Sequence, residues 1–67
     1  MEYKIELLKL GKTQRDLIKG LASRGIITNP PEMSTALSGV ARPKFDDIRK
    51  ASEEIIAEWK SEAENND

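Results

Sequence analysis

The 67-residue chain contains no cysteine and no histidine. Without these residues it can form no disulfide bond and offers no thiol nucleophile. It also lacks the side chains of the usual zinc sites and of a Ser/His/Asp triad. A chain of this length has room for one small core and for no deep, enclosed active site. We therefore expect a single domain over residues 1–67 that is not an enzyme and that needs no cofactor and no metal.

Long apolar runs are absent as well. No stretch approaches the roughly 18 consecutive apolar residues of a membrane-spanning helix, and the N-terminal residues lack the positive, apolar and small order of a signal peptide. These absences predict a soluble, cytoplasmic protein that does not bind membranes. Hydrophobic residues still make up 37% of the chain, which is enough for a small helical core.

Charge is divided unevenly along the chain. Residues 1–50 carry ten basic and six acidic side chains, a net charge of +4, whereas residues 51–67 carry one basic and six acidic side chains, a net charge of −5. A basic body can face a polyanion while an acidic tail stays in solvent. Uneven charge that serves solubility alone explains the pattern equally well when charge is the only observation.

The spacing of apolar residues predicts helices and no strand. A first amphipathic helix is expected over residues 2–10 and ends at Gly11. One side of it carries Ile5, Leu7, Leu8 and Leu10.

A second helix is expected to begin at Gln14. Thr13 is its N-cap, and Asp16 three residues later completes an approximate capping box. Gly20 in the middle of this helix costs about 1 kcal/mol of helix stability relative to alanine. Either a closely packed neighbour requires a glycine here, or the position is under no packing constraint. Gly25 is the expected C-cap in the left-handed region.

Two prolines separate the second helix from a third, which we expect over residues 31–38 with Gly39 as its end. The longest helix is expected over residues 44–64, followed by a frayed acidic end at residues 64–67. Its apolar stripe includes Phe45 and Ile48, which should close the core. For Ile55, Ile56 and Trp59, packing within the chain and pairing with a second subunit both remain open.

A Thr-Gln pair opens the predicted helix at residue 14, and an apolar-x-x-apolar-x-x-Gly run closes the next helix. With these features residues 13–39 resemble the lambda-repressor and Cro-like helix-turn-helix family of phage and bacterial regulators. The turn over residues 24–31 is longer than the tight turn usual in that family, and Ile18 occupies a position that is usually small. The matching residues are Thr13, Gln14, Leu17, Ile18 and Leu21, then Met33, Ala36, Leu37 and Gly39, and in the following linker and helix Arg42, Pro43, Phe45 and Ile48.

The resemblance implies an all-α fold, a small four- to five-helix lambda-repressor-like domain with a long C-terminal helix. It also implies a sequence-specific DNA-binding transcriptional regulator of the phage Cro or repressor type. Such a regulator acts on double-stranded operator DNA as a dimer. In this chain a homodimer could form through the C-terminal helix, at Ile55, Ile56 and Trp59.

The third helix would act as the recognition helix. Because Met33, Ala36 and Leu37 are needed inside, its outward side chains would be Glu32, Ser34, Thr35 and Ser38. Small hydroxyls allow close approach to base edges or phosphates, and Glu32 could accept a hydrogen bond from a cytosine amino group. Ser34, Thr35 and Ser38 could equally be ordinary solvated positions, and Glu32 could serve only to favour the helix N-terminus.

Residues outside the recognition helix would contact the DNA backbone or nearby bases. Thr28 and Asn29 precede that helix, and Gln14 can bond a phosphate at the amino end of its own helix. Thr13 is a further candidate, although a capping role is the simpler explanation for it. The basic candidates for phosphate attraction are Lys12, Arg15, Arg42 and Lys44.

A second hypothesis is a protein–protein interaction module, such as an antirepressor or adaptor. In this reading Ile55, Ile56 and Trp59 form an apolar stripe that binds another protein together with the acidic tail.

Overall fold

A computed structural model describes residues 2–65. Over that range the chain forms four α-helices, namely α1 Tyr3–Leu10, α2 Gln14–Ser23, α3 Pro30–Leu37 and α4 Pro43–Asn65, and no strand. The predicted all-α class is confirmed, and the predicted ends of α1, α3 and α4 agree to within one residue. Of the end predicted to fray, residues 64 and 65 are helical, and residues 66 and 67 lie outside the described part.

Local hydrogen bonds fix both ends of α2, the first where the sequence predicts it and the second with Arg24 as the C-cap, one residue before the predicted Gly25. The Thr13 hydroxyl accepts the Asp16 amide at 3.2 Å, and the Asp16 carboxylate accepts the Thr13 amide at 2.9 Å, which is a complete capping box. The bond from the Thr13 amide, followed by that from its hydroxyl, holds the pKa of Asp16 below its ordinary value. This contribution to stability is present at neutral pH and is lost as the pH falls through that lowered pKa.

The C-terminal end of α2 is a Schellman motif. Gly25 has a φ of 84°, its amide donates to Ala22 O, and the Ile26 amide donates to Leu21 O. A residue with a side chain is strained at this φ, so the glycine marks where the chain leaves the helix and enters the turn before α3.

α1 docks through only part of the apolar side predicted for it. Tyr3 and Leu7 are buried and Leu10 packs against the core, whereas Ile5 is 50% exposed and Leu8 is 79% exposed. The prediction that all four apolar residues share one side was wrong for Ile5 and Leu8, because Tyr3 and Leu7 form a second apolar stripe with helical spacing on the other side of α1. The Tyr3 side chain can be buried because its hydroxyl donates to Glu53 at 3.0 Å.

α4 packs against each of the three shorter helices. Its buried residues Ile48, Ile55 and Ile56 meet side chains from α1, α2 and α3 in one core. The question left open by the sequence is thereby settled for Ile55 and Ile56, which are 4% and 0% exposed within the single chain. Both residues are therefore inside the core, not on a surface where a second subunit could pair with them. Trp59 packs partly buried against the same core.

Gly20 lies where α2 approaches α4. A Cβ atom at this position would be 3.2 Å from the Ile55 Cδ1 atom, a tighter contact than side chains ordinarily make. Of the two explanations open from the sequence, the structure therefore supports close packing, because the missing side chain makes room for a core isoleucine.

Ser52 provides a test of this core. The residue is fully buried, and its hydroxyl has no hydrogen-bond partner within residues 2–65. A buried hydroxyl without a partner costs about 1–3 kcal/mol. We expect Ser52→Ala to raise the free energy of unfolding by about 1 kcal/mol, measured by urea denaturation.

The matched control is Ser61→Ala, at an exposed position of the same helix. This control gains only the higher helix propensity of alanine, a few tenths of a kcal/mol. Equal stabilisation of the two variants would contradict the idea that the Ser52 hydroxyl destabilises the core.

Candidate nucleic-acid interface

The start of α3 is set by Asn29 and the two prolines that follow it. Asn29 is extended, with φ −127° and ψ 168°, and its Oδ1 atom accepts the Glu32 amide at 2.9 Å. Pro30 and Pro31 occupy the first two helical positions, where an amide hydrogen would have no partner in the helix. Asn29 is thus a helix cap, and its side-chain NH2 group remains as a donor for a base or a phosphate.

α3 is fastened to α4 at both of its ends. Near its start, Glu32 forms an ion pair with Lys44 at 2.6 Å. At its other end, the Arg49 guanidinium donates to the carbonyl oxygens of Ala36 and Val40, each at 2.8 Å, and is also paired with Asp46. Arg49 thereby satisfies one carbonyl of the last turn of α3 and one of the loop after it. The Arg49 hydrogen bonds do most to hold α3 against α4, because an exposed ion pair such as that of Glu32 with Lys44 contributes only about 0–1 kcal/mol.

The two faces of α3 divide as the sequence predicts. Met33 and Ala36 are fully buried, and Leu37 is half-buried against the core. The opposite face consists of exposed residues at positions i, i+3, i+4 and i+7, which we call the outer stripe. The residues of the outer stripe are Pro31, Ser34, Thr35 and Ser38. Glu32, the fourth residue predicted to point outward, is half-buried beside Lys44.

The hydroxyls of the outer stripe differ in their partners. Thr35 Oγ1 donates to Pro31 O at 3.0 Å, and Ser38 Oγ donates to Thr35 O at 2.7 Å. The Ser34 hydroxyl makes no hydrogen bond to any other part of residues 2–65. Ser34 can therefore both donate to and accept from an incoming ligand, whereas the other two offer lone pairs.

A shallow cleft of about 190 Å³ brings the start of α1 beside the outer stripe. Lys4 from α1 lines it together with Glu2, Ser34 and Ser38, so that one basic and one acidic side chain border the cleft. Sequence reasoning missed Lys4, because no motif connects α1 to a helix some 30 residues further along the chain. Arg49 was missed for a related reason, since a long side chain reaching across helices leaves no periodic pattern.

Tyr3 forms one wall of the same cleft. Burial, followed by the hydrogen bond to Glu53, raises the pKa of the phenol above its ordinary value of 10.0. Because the folded protein favours the neutral phenol, this contribution to stability is complete below pH 10 and is lost as the pH rises through the raised pKa.

One predicted contact residue is corrected by the structure. The Thr28 hydroxyl oxygen is buried and has no partner within residues 2–65. This hydroxyl was expected to reach a base or a phosphate, and it cannot do so because the turn before α3 folds it away from solvent.

The remaining predicted residues lie at the surface in different settings. Arg15 and Arg42 are exposed and pair with no acidic side chain in the described part. The Lys12 ammonium lies 5.0 Å from the centroid of the Trp59 ring. Gln14 is half-buried at the first position of α2. The Thr13 hydroxyl is engaged in the capping box, which matches the simpler of its two predicted roles.

Comparison of the chain with known protein families, with curated proteins and with solved structures found no match. The likeness of residues 13–39 to the helix-turn-helix family therefore rests on the sequence pattern. Within residues 2–65, no helix is both long enough and apolar enough to cross a membrane.

Removing the Arg49 guanidinium should loosen α3. We expect Arg49→Gln to lower the free energy of unfolding by about 2 kcal/mol, because hydrogen bonds made by a charged group contribute about 1.5–3 kcal/mol. Urea denaturation measures this loss, and amide hydrogen exchange should show the largest loss of protection in α3.

Lys50→Gln is the control for Arg49→Gln. It removes a positive charge from the next residue of α4, which is exposed and makes no ion pair in the described part. Similar losses of stability in the two variants would show that Arg49 does not hold α3 in place.

Proposed function

We propose that the protein is a sequence-specific DNA-binding regulator of the lambda-repressor and Cro-like type, with α3 entering the major groove. The observation that carries this proposal is the outer stripe, a row of short, exposed side chains on a helix that is fixed to α4 at both ends. Short side chains allow the helix backbone to come close to base edges, and a fixed helix loses little conformational freedom on binding.

Contacts with phosphates would hold α3 in register. The first amides of α2, at Gln14 and Arg15, have no partner within the helix and can bind a phosphate together with the Arg15 side chain. Arg42, in the linker after α3, and Lys4, beside the outer stripe, add further positive charge. These groups position the protein, whereas base contacts from α3 select the sequence.

A DNA-binding experiment tests this proposal through its salt dependence. We expect the protein to shift a fragment from upstream of its own gene in gel electrophoresis. If Lys4, Lys12, Arg15 and Arg42 each neutralise one phosphate, the logarithm of the binding constant should fall with that of the salt concentration with a slope of about −3.6 per copy. Absent binding, or binding that salt does not weaken, would contradict the proposal.

Single variants separate the two kinds of contact. Arg15→Gln should weaken binding to all sequences and reduce the slope by about 0.9, whereas Ser34→Ala should change the preferred sequence. Lys50→Gln is the control, because Lys50 shares a surface groove with Asp47 and Glu54, which would repel a phosphate there. Glu32→Ala is a poor test of base reading, since it also breaks the ion pair to Lys44.

Two copies bound to half-sites about one helical turn apart would add their contacts, as is usual for this class of regulator. The surface proposed from the sequence for such a dimer was Ile55, Ile56 and Trp59. Since the first two are in the core, a dimer would need another surface.

A second candidate function is an interaction module that acts through α1 instead of α4. Ile5 and Leu8 are exposed, lie one turn apart, and are flanked by Lys4, Lys9 and Lys12. A symmetric contact between two copies of this face would bring like charges together. The face therefore suits an acidic amphipathic helix from another protein.

A synthetic helical peptide of leucine and glutamate can probe that face. We expect the double variant Ile5→Ser/Leu8→Ser to bind the labelled peptide at least tenfold more weakly than the unmodified protein, measured by fluorescence anisotropy. The control is Ile27→Ser, which changes another exposed isoleucine, at 72% exposure, in the turn before α3. Equal affinity of all three proteins would argue against a docking site on α1.

A further inference from the structure

Two of the three hydroxyls of the outer stripe, those of Thr35 and Ser38, present only hydrogen-bond acceptors. The Thr35 and Ser38 hydroxyls both donate their hydrogen atoms to backbone carbonyls of α3 itself. A hydroxyl has one hydrogen and two lone pairs, so each of these groups turns only lone pairs toward a ligand. The bases that supply donors in the major groove are adenine, at its N6 amino group, and cytosine, at its N4 amino group.

The same stripe is partly apolar. Pro31 and Thr35 are four residues apart and share one face of the helix, where both are exposed. The proline ring and the threonine γ-methyl are the apolar groups of this face. In the major groove, an apolar contact is offered by the C5 methyl group of thymine.

The side chains that usually read guanine are absent from this stripe. Guanine presents the acceptors O6 and N7, which are commonly bound by arginine or lysine, and the outer stripe contains neither. Near the start of α3, Asn29 Oδ1 is occupied by the cap and the Glu32 carboxylate by Lys44. The outward lone pairs of Thr35 and Ser38 would face the guanine acceptors without forming a hydrogen bond. Only the free Ser34 hydroxyl and the Asn29 NH2 group could donate to guanine from this surface.

We propose that the base pairs beneath Pro31, Thr35 and Ser38 are A·T pairs, read through the thymine methyl and the adenine amino group. The inference rests on the proposed DNA-binding function and adds the class of base pair that α3 selects. Pro31 and the Thr35 methyl contact thymine methyl groups, while the Thr35 and Ser38 lone pairs accept from adenine N6.

DNA in which uracil replaces thymine tests this inference, because uracil pairs as thymine does and lacks only the methyl group. The starting site is the tightest-binding sequence selected from random DNA, which should have A·T pairs at its centre of contact. With two thymine methyl groups in contact, we expect uracil substitution to weaken binding roughly tenfold.

Two substitutions of Thr35 separate the contribution of its methyl group to binding from that of its hydroxyl. Thr35→Ser keeps the hydroxyl and removes the methyl, so it should reduce the difference between thymine and uracil DNA. Thr35→Val keeps a methyl and removes the hydroxyl, so it should preserve that difference while weakening the preference for adenine. Circular dichroism checks that both variants remain helical.

The outcomes distinguish failure of the proposed DNA-binding function from failure of the A·T inference alone. If no DNA binds at low salt, the proposed function fails and this inference fails with it. If DNA binds with the expected salt dependence, and thymine and uracil sites bind equally or the selected site is rich in G·C pairs, the inference alone is overturned.

Discussion

The burial of one stripe of α4 is the constraint on which the rest of the fold depends. α1, α2 and α3 contain 8, 10 and 8 residues, and isolated helices shorter than about 12–15 residues are marginal in water. Each of them becomes stable by packing on α4, whose 23 residues run past all three. Ile48, Ile55 and Ile56 therefore act as the common support of every other helix. This explains why the stripe cannot serve at the same time as an external binding surface.

α3 also depends on contacts with the rest of the chain for its stability. A helix of eight residues that begins with two prolines has little intrinsic stability. It is held by Met33 and Ala36 in the core, by the Asn29 cap, and by Arg49 at its far end. Because the inner face and the two ends supply this stability, the outer stripe need contribute none. The residues of the outer stripe can therefore contact a ligand without being required for the stability of the fold.

Helix ends were predictable from the sequence because each is set by neighbouring residues. Thr13 with Asp16, and Gly25, satisfy backbone groups within a few positions of themselves. The Asn29 cap acts equally locally but was not predicted, since Asn29 was expected only as a contact to a base or a phosphate. The face of α1 could not be predicted, since its two apolar stripes have equally good helical spacing and only the position of α4 selects Tyr3 and Leu7.

Contacts between side chains that are far apart along the chain could not be predicted from the sequence either. The pairing of Glu32 with Lys44 removed two residues from the set expected to meet DNA freely, and the burial of Thr28 removed a third. Lys4 was added to that set by the packing of α1 next to α3. Three residues of the outer stripe, Ser34, Thr35 and Ser38, were predictable, because Met33 and Ala36 fix the inward face of a short helix whose period is known.

The acidic end of α4 raises the question of whether a chain with a net charge of −1 can attract DNA. Glu62 lies 18 residues beyond Lys44 on α4, an axial distance of about 27 Å. Charges at the surface are screened over about 8 Å at physiological ionic strength. Acidic residues as far along α4 as Glu62 therefore have little effect on the potential near Lys44 and Arg42, whereas Glu53 accepts a hydrogen bond from Tyr3 beside Lys4. Lys12, placed over Trp59 one turn from Glu62, is the basic candidate whose attraction the acidic end weakens most.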